Sequence, residues 1–200
     1  MTEAETVAGV GRPRDPQLDA RVRAAARQVY GRLGWSGFSI DGVAREARVG
    51  KSSIYLRWTD TTSLLVDMLE SAVDLPLETD TGSLRGDLLV LARSILDLML
   101  GENGDAVLRL STEARMVPEL EPQWQRFVKA NVSAVRKIVR RAVARGELPQ
   151  GAAVDLLLDA LTGGLMMRCL TTPPSKRARL AKSADRYTES LVDLVLASYS

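Results

Sequence analysis

The segment from Ser39 to Trp58, SIDGVAREARVGKSSIYLRW, constrains what this chain can fold into more than any other stretch. Ile40, Val43, Ala44 and Ala47 fall at i, i+3, i+4 and i+7, the apolar face of one short helix, and Ser39 stands where an N-cap belongs. A second helix is expected to start near Gly50 and run through Tyr55 to Trp58. It would bury Ile54 and Trp58 and leave Lys51, Ser52, Ser53, Tyr55 and Arg57 outside. Two short helices on a tight turn make a helix-turn-helix, whose second helix enters the DNA major groove. The side chains left outside are donors suited to phosphates and base edges.

Charge agrees once it is divided along the chain. The whole protein carries a net charge of +2, which by itself argues for nothing. Between Gly11 and Trp58, however, ten Lys or Arg face four acids, a local charge of +6 that leaves −4 for the remainder. A basic N-terminal segment beside a mildly acidic body suggests one nucleic-acid face and a second part with another task. On charge alone an ordinary solvated arginine-rich face fits equally well.

The rest of the chain reads as all-α, with about nine helices. A first helix over about 16–33 buries Val22, Ala26, Val29 and Leu33, and Gly34 ends it. After the two short helices, Asp60 caps a fourth over about 61–74, with Leu64, Leu65, Met68 and Leu69 inward. A loop over 76–82 separates basic head from body. Helices follow over 83–100, 105–113, 118 or 119 to 145, 152–170 and 176–199. The segment 152–170 is apolar on nearly every side and must be covered from more than one direction. In the last helix Leu180, Ala184, Tyr187, Leu191, Leu194 and Ser198 alternate at four and three, the seam of a helix packed lengthwise on another. Residues 1–15 read as a flexible basic arm, 16–75 as the DNA-binding domain with the start of the connecting helix, and 76–200 as the C-terminal domain.

Several function classes are excluded or weakened. The chain has no histidine, and its single cysteine, Cys169, lies in an apolar run as a buried, inert thiol. Asp155 and Asp159 stand at exposed i, i+4 positions and are most simply solvated, so an enzyme working through body carboxylates is the minor reading. Gly50-Lys51-Ser52 invites a phosphate loop, but Arg45 stands where that loop needs glycine. No segment approaches the roughly 18 uninterrupted apolar residues of a membrane span, and the N-terminus carries acids where a signal peptide has bases. A cytoplasmic protein with no membrane partner and no cofactor is expected.

The residues Ala25-Ala26, Tyr30, Gly34-Trp35, Ser39-Ile40, Val43-Ala44, Ala47, Val49, Ser53-Ile54-Tyr55, Trp58 and Leu64 together resemble the tetracycline repressor (TetR) family of bacterial transcriptional regulators. Three positions depart from that family's habit. Arg48 stands where glycine is common in the turn, Thr61 where lysine is usual at the fourth helix, and Gly50 where Ser or Thr caps the reading helix. A left-handed Arg48 would cost about 1 kcal/mol and set a guanidinium near the DNA backbone.

The resemblance implies a homodimer that binds double-stranded DNA at a palindromic operator, more as a repressor than an activator, and releases it to a small hydrophobic effector. A helical regulator without ligand sensing remains the alternative. The expected DNA contacts are Arg12, Arg14, Ser39, Arg48, Gly50, Lys51, Ser52, Ser53, Tyr55, Arg57 and Thr61. Met99, Met116, Trp124, Phe127, Asn131 and Met166 are the expected ligand contacts, although they would serve equally as core filling. Leu157, Leu161, Gly164, Tyr187, Leu191 and Leu194 are the expected dimer contacts.

Overall fold

The computed structural model describes residues 16–72, 76 and 78–199, with the side chains of Pro16, Phe127, Asn131 and Ser198 outside that description. The expectations for the arm 1–15, including Arg12 and Arg14, and for the side chains of Phe127 and Asn131 therefore fall on residues not described. Among the described residues there are ten α-helices, a terminal 3-10 turn and no strand. The helices are α1 (Pro16–Gly37), α2 (Ile40–Ala47), α3 (Lys51–Tyr55), α4 (Thr61–Ala72), α5 (Leu84–Leu100), α6 (Gly104–Glu113), α7 (Glu121–Ala144), α8 (Val154–Thr171), α9 (Pro174–Lys182) and α10 (Ala184–Leu196).

Local chemistry sets most of these ends. Gly34 sits at φ 68° and breaks α1 as its sequence position suggested, and one further turn reaches Gly37. Leu33, expected inside, is exposed next to that break. Ser39 accepts a hydrogen bond from the Gly42 N–H at 3.1 Å and caps α2, and Ser83 does the same for α5 through Gly86. Asp60 accepts from the Ser63 N–H at 2.7 Å at the start of α4.

Two apolar cores result. The first gathers Val22, Val29, Tyr30, Phe38, Val43 and Ile54 with Leu64 and Leu65 of α4, and Tyr30 meets Phe38 edge to face at 5.7 Å. It also takes Ala106 and Leu110 from α6 and Ala114 at its C-cap, so α6, which follows the 76–82 loop in sequence, packs into the head. The second core joins α5, α7, α8 and α10 through Leu88, Leu96, Val135, Leu161, Leu165 and Val192. At its end the buried Asp87 carboxylate accepts from the Thr81 N–H (2.6 Å), the Thr81 hydroxyl (2.8 Å) and Arg141 of α7 (3.2 Å), tying the loop before α5 to α7.

One expectation needs correction here. The long final helix is two helices, α9 and α10, broken at Ser183. There the Ser183 hydroxyl donates to the Arg179 and Leu180 carbonyls, a local bond that competes with helix continuation. Leu180 and Ala184 are consequently buried within their own chain, not aligned in one seam with Leu194.

Candidate nucleic-acid interface

The helix-turn-helix is built as the residues of 39–58 suggested, but its reading helix is shorter. α3 covers only Lys51–Tyr55, with the Trp58 N–H still bonded to the Ile54 carbonyl at 2.9 Å. Gly50 caps it in an extended conformation without a side-chain bond. Arg48 ends α2 at φ 55°, ψ 46°, the one non-glycine residue with positive φ among those described. The strain expected of that arginine is therefore present, at about 1 kcal/mol. Arg48 is exposed, as are Ser39, Gly50, Lys51, Ser52 and Tyr55. Ser53 and Thr61 are half-buried.

Arg57 does different work from the one expected. Its Nε donates to Asp19 of α1 and its Nη1 to the Ser53 carbonyl at 3.2 Å, and its side chain is only 17 % exposed. A guanidinium held by a half-buried carboxylate anchors α3 to α1 and is not free for phosphate. Asp67 of α4 provides a second anchor. It accepts from the Trp58 indole N–H at 2.9 Å and from Arg23 of α1 at 2.8 Å, so one carboxylate ties α1 and α4 to the segment that follows α3. Neither Asp19 nor Asp67 stood out in the sequence, because an ion pair between residues 38 or 44 positions apart leaves no periodic signal.

Lys51 lies 2.6 Å from Asp41 of α2, with both side chains about 57 % exposed. Such an exposed pair contributes little to stability and yields readily to a phosphate. Arg21, Arg27, Arg45 and Arg48 have no carboxylate partner among the described residues, which makes them the free cations of the head. Leu56, directly after Tyr55, is 82 % exposed, a position that polarity-based reading passed over.

The body contains a cavity of about 340 Å³ between α5, α6, α7 and α8. Met99, Trp124 and Met166, three of the expected ligand contacts, line it. Met116 does not. It lies beyond the end of α6 and is 83 % exposed. Val107, Leu108 and Ser111 bring α6 into the cavity wall, a contribution helical periodicity alone does not reveal. A smaller cavity of about 240 Å³ adjoins it across Val107 and Trp124, so α6 is loosely packed on that side.

α8 has three distinct faces. Leu157, Leu161, Leu165 and Cys169 point into the second core, and burial pushes the Cys169 thiol pKa up. Leu157 and Leu161 are thus fully buried within one chain and cannot form the expected dimer contact. Leu158, Thr162 and Met166 face the cavity. Leu156, Ala160, Gly163, Met167 and Leu170, spaced four and three apart, lie exposed, with Gly163 also at the rim of the cavity. Gly164 and Tyr187 join α8 to α10 within the chain. A Cβ on Gly164 would come within 3.0 Å of Leu191, and the Tyr187 hydroxyl donates to the Gly164 carbonyl at 3.1 Å. Leu194 of α10 is exposed beside them. No described helix is long and apolar enough to cross a membrane, and no described cluster of acids and cysteine could hold a metal ion.

Comparison with known proteins meets this geometry from outside. Residues 22–68 match the family model of bacterial regulatory proteins of the tetR family, and residues 78–195 match that of the tetracyclin repressor-like C-terminal domain. The chain is 29 % identical over 173 residues to the HTH-type transcriptional regulator Mb1581 of Mycobacterium bovis, covering 82 % of this chain and 85 % of that protein. It is 24 % identical over 164 residues to YdeS of Bacillus subtilis, also an HTH-type transcriptional regulator, covering 81 % and 83 %. The fold is shared with a TetR-family regulator from Rhodococcus sp. at a TM-score of 0.70 and 18 % identity, covering 90 % of this chain and 99 % of that one. A basic helix-turn-helix head and a helical body, each matched by its own model, mean that this chain belongs to the TetR family of transcriptional regulators, DNA-binding proteins that are not enzymes.

Proposed function

We propose that the protein is a homodimeric repressor that holds a palindromic operator through residues 16–75 and releases it when a small molecule enters the body formed by 76–200. The observation that carries this reading is the position of α6. Its Ala106 and Leu110, with Ala114 at its C-cap, sit in the head core, while Val107, Leu108 and Ser111 of the same helix line the body cavity. A ligand that fits the cavity better when α6 is displaced must shift the head, because one rigid helix serves both.

The two halves of the reading have separate support. The exposed residues Arg48, Lys51, Ser52 and Tyr55 support groove binding, together with Ser39 and Thr61. The exposed stripe Leu156, Ala160, Gly163, Met167 and Leu170 supports packing against a second copy. Two reading helices must then stand about 34 Å apart to enter successive major grooves on one duplex face. The cavity is of a size that suits small ligands, which lie in the range of about 300–1,000 Å³. Three of its lining side chains, Met99, Trp124 and Met166, are large apolar groups.

Selection of bound sequences from random DNA by the purified protein tests the first half. An inverted repeat with half-sites one helical turn or a multiple apart is the expected result. Failure to enrich any sequence, from a protein that folds, overturns it.

A further inference from the structure

We infer that the body cavity takes a lipophilic cation, an assignment that rests on the ligand-sensing reading above and names the chemistry of the ligand. Among the residues that line the cavity, Asp159 is the one charged side chain. Its neighbours in the wall include Met99, Trp124, Val128, Leu158 and Met166, so a carboxylate stands at the edge of an apolar space that also holds an indole. Asp159 has no hydrogen-bond or ion-pair partner among the described residues. Among the described residues Asp19, Asp67, Asp87, Asp97, Asp185 and Asp193, by contrast, each hold an arginine. Asp159 is solvent-exposed, so its carboxylate stands at the rim of the cavity, where it can meet a charge whose apolar substituents lie inside.

The polar groups beside it favour the same sign. Ser111 and Thr162 are the lining hydroxyls, and each donates its proton to its own helix, to the Leu108 and Leu158 carbonyls at 2.7 Å. Their oxygens keep lone pairs to offer, while their O–H donors are spent. An anion needs donors, which these groups do not supply. A cation needs a carboxylate, lone pairs or an aromatic face, and the wall supplies Asp159, two hydroxyl oxygens and Trp124. A polarisable pair of methionines adapts to bulky apolar substituents around the charge. The opposing influence is a groove beyond Val132 lined by Lys129, Arg136 and Arg140 of α7, which would draw an anion.

The test uses the full chain and a matched set of probes: tetraphenylphosphonium, its near-isosteric opposite tetraphenylborate, and neutral triphenylmethanol, each titrated by calorimetry. Wild-type protein is expected to bind the cation about tenfold or more tighter than the neutral probe. Asp159→Asn should collapse that ratio towards one and leave neutral binding unchanged, and Asp159→Glu should retain a cation preference. These variants change an exposed position on α8, and circular dichroism checks that they fold. Equal binding of cation and neutral probe, tighter binding of the borate, or a cation preference that survives Asp159→Asn overturns the assignment while leaving a ligand cavity in place. Binding of none of the three overturns the assignment together with the sensing reading on which it rests.

Discussion

Glu113, the last residue of α6, accepts a hydrogen bond at 2.9 Å from the backbone N–H of Trp35, the residue that follows the break in α1. Arg109, one turn earlier, donates to the Gly31 carbonyl at 3.1 Å and lies 3.4 Å from Glu113. The end of α1 thus has donors and acceptors answered by α6, and burial beside Glu113 raises the Tyr30 hydroxyl well above its ordinary pKa. Glu113→Ala should leave the half-buried Trp35 N–H unpaired and cost roughly 1–2 kcal/mol. Denaturant titration measures this, with a loss below about 0.5 kcal/mol counting against the role. Hydrogen exchange should place the loosening at the α1–α6 contact.

Lys51 and Arg57 stand in different surroundings, one exposed and the other held by Asp19. Lys51 is exposed and paired only with the equally exposed Asp41, so Lys51→Ala should leave the melting temperature nearly unchanged. It should weaken specific DNA binding by about 1–3 kcal/mol per contact if it reads a base, with relaxed sequence preference. If it meets phosphate alone, all sequences weaken alike and the salt slope drops by roughly one unit per contact. Arg57→Ala should act in the opposite order. It strips Asp19 of its partner, and the head should lose stability before DNA is added. Equal thermal stability of Arg57→Ala and wild type would contradict the anchor.

The contrast shows which parts of this site a sequence can carry. Ser39, Arg48, Gly50 and Ile54 take their roles from local rules: a cap, a left-handed turn, an extended start and a helical face. Each rule acts within four residues, so each was legible. Arg57 was not, because what decides between a phosphate and Asp19 is the packing of α1 against α3. The same limit explains α8. Its sequence, apolar on nearly every side, called for cover from several directions, but three different surroundings turn Leu157 to the core, Leu158 to the cavity and Leu156 to the outside. The head core was legible up to α4, and the arrival of α6 in it was not, since no local pattern distinguishes a helix that faces two cores.

The Asp87 cluster predicts an acid limb in stability. Burial by itself pushes that carboxyl up, and the Thr81 N–H, the Thr81 hydroxyl and Arg141 outweigh it, so its pKa is held below the ordinary range. A folded-state pKa below the unfolded one gives stability that is present above about pH 4 and is lost as pH falls through the folded value. The midpoint of urea unfolding should therefore fall steeply below about pH 4. Asp87→Asn should flatten that limb and cost about 2–3 kcal/mol at neutral pH, at the low end for broken buried pairs because Arg141 can turn to water. A variant with the wild-type acid profile would show that other carboxyls carry the effect.

Oligomeric state is decided by which leucines face outward. Leu161 is fully buried in its own chain, so Leu161→Ala should cost about 2–5 kcal/mol in stability and leave assembly unchanged. Met167 and Leu194 are 60 % and 72 % exposed on neighbouring helices, and replacing both with glutamate should cost the isolated chain little. In a dimer the same pair of charges would be buried at the α8 and α10 surface of both copies, where an unpaired carboxylate is strongly unfavourable. Sedimentation velocity should then show the double variant as a folded monomer and the wild type as a dimer. The monomer should also lose binding to a two-half-site duplex, since each head alone holds only one groove. A wild-type chain that sediments as a monomer at micromolar concentration, or a double variant that remains dimeric, would remove the exposed stripe of α8 from the interface and the palindrome with it.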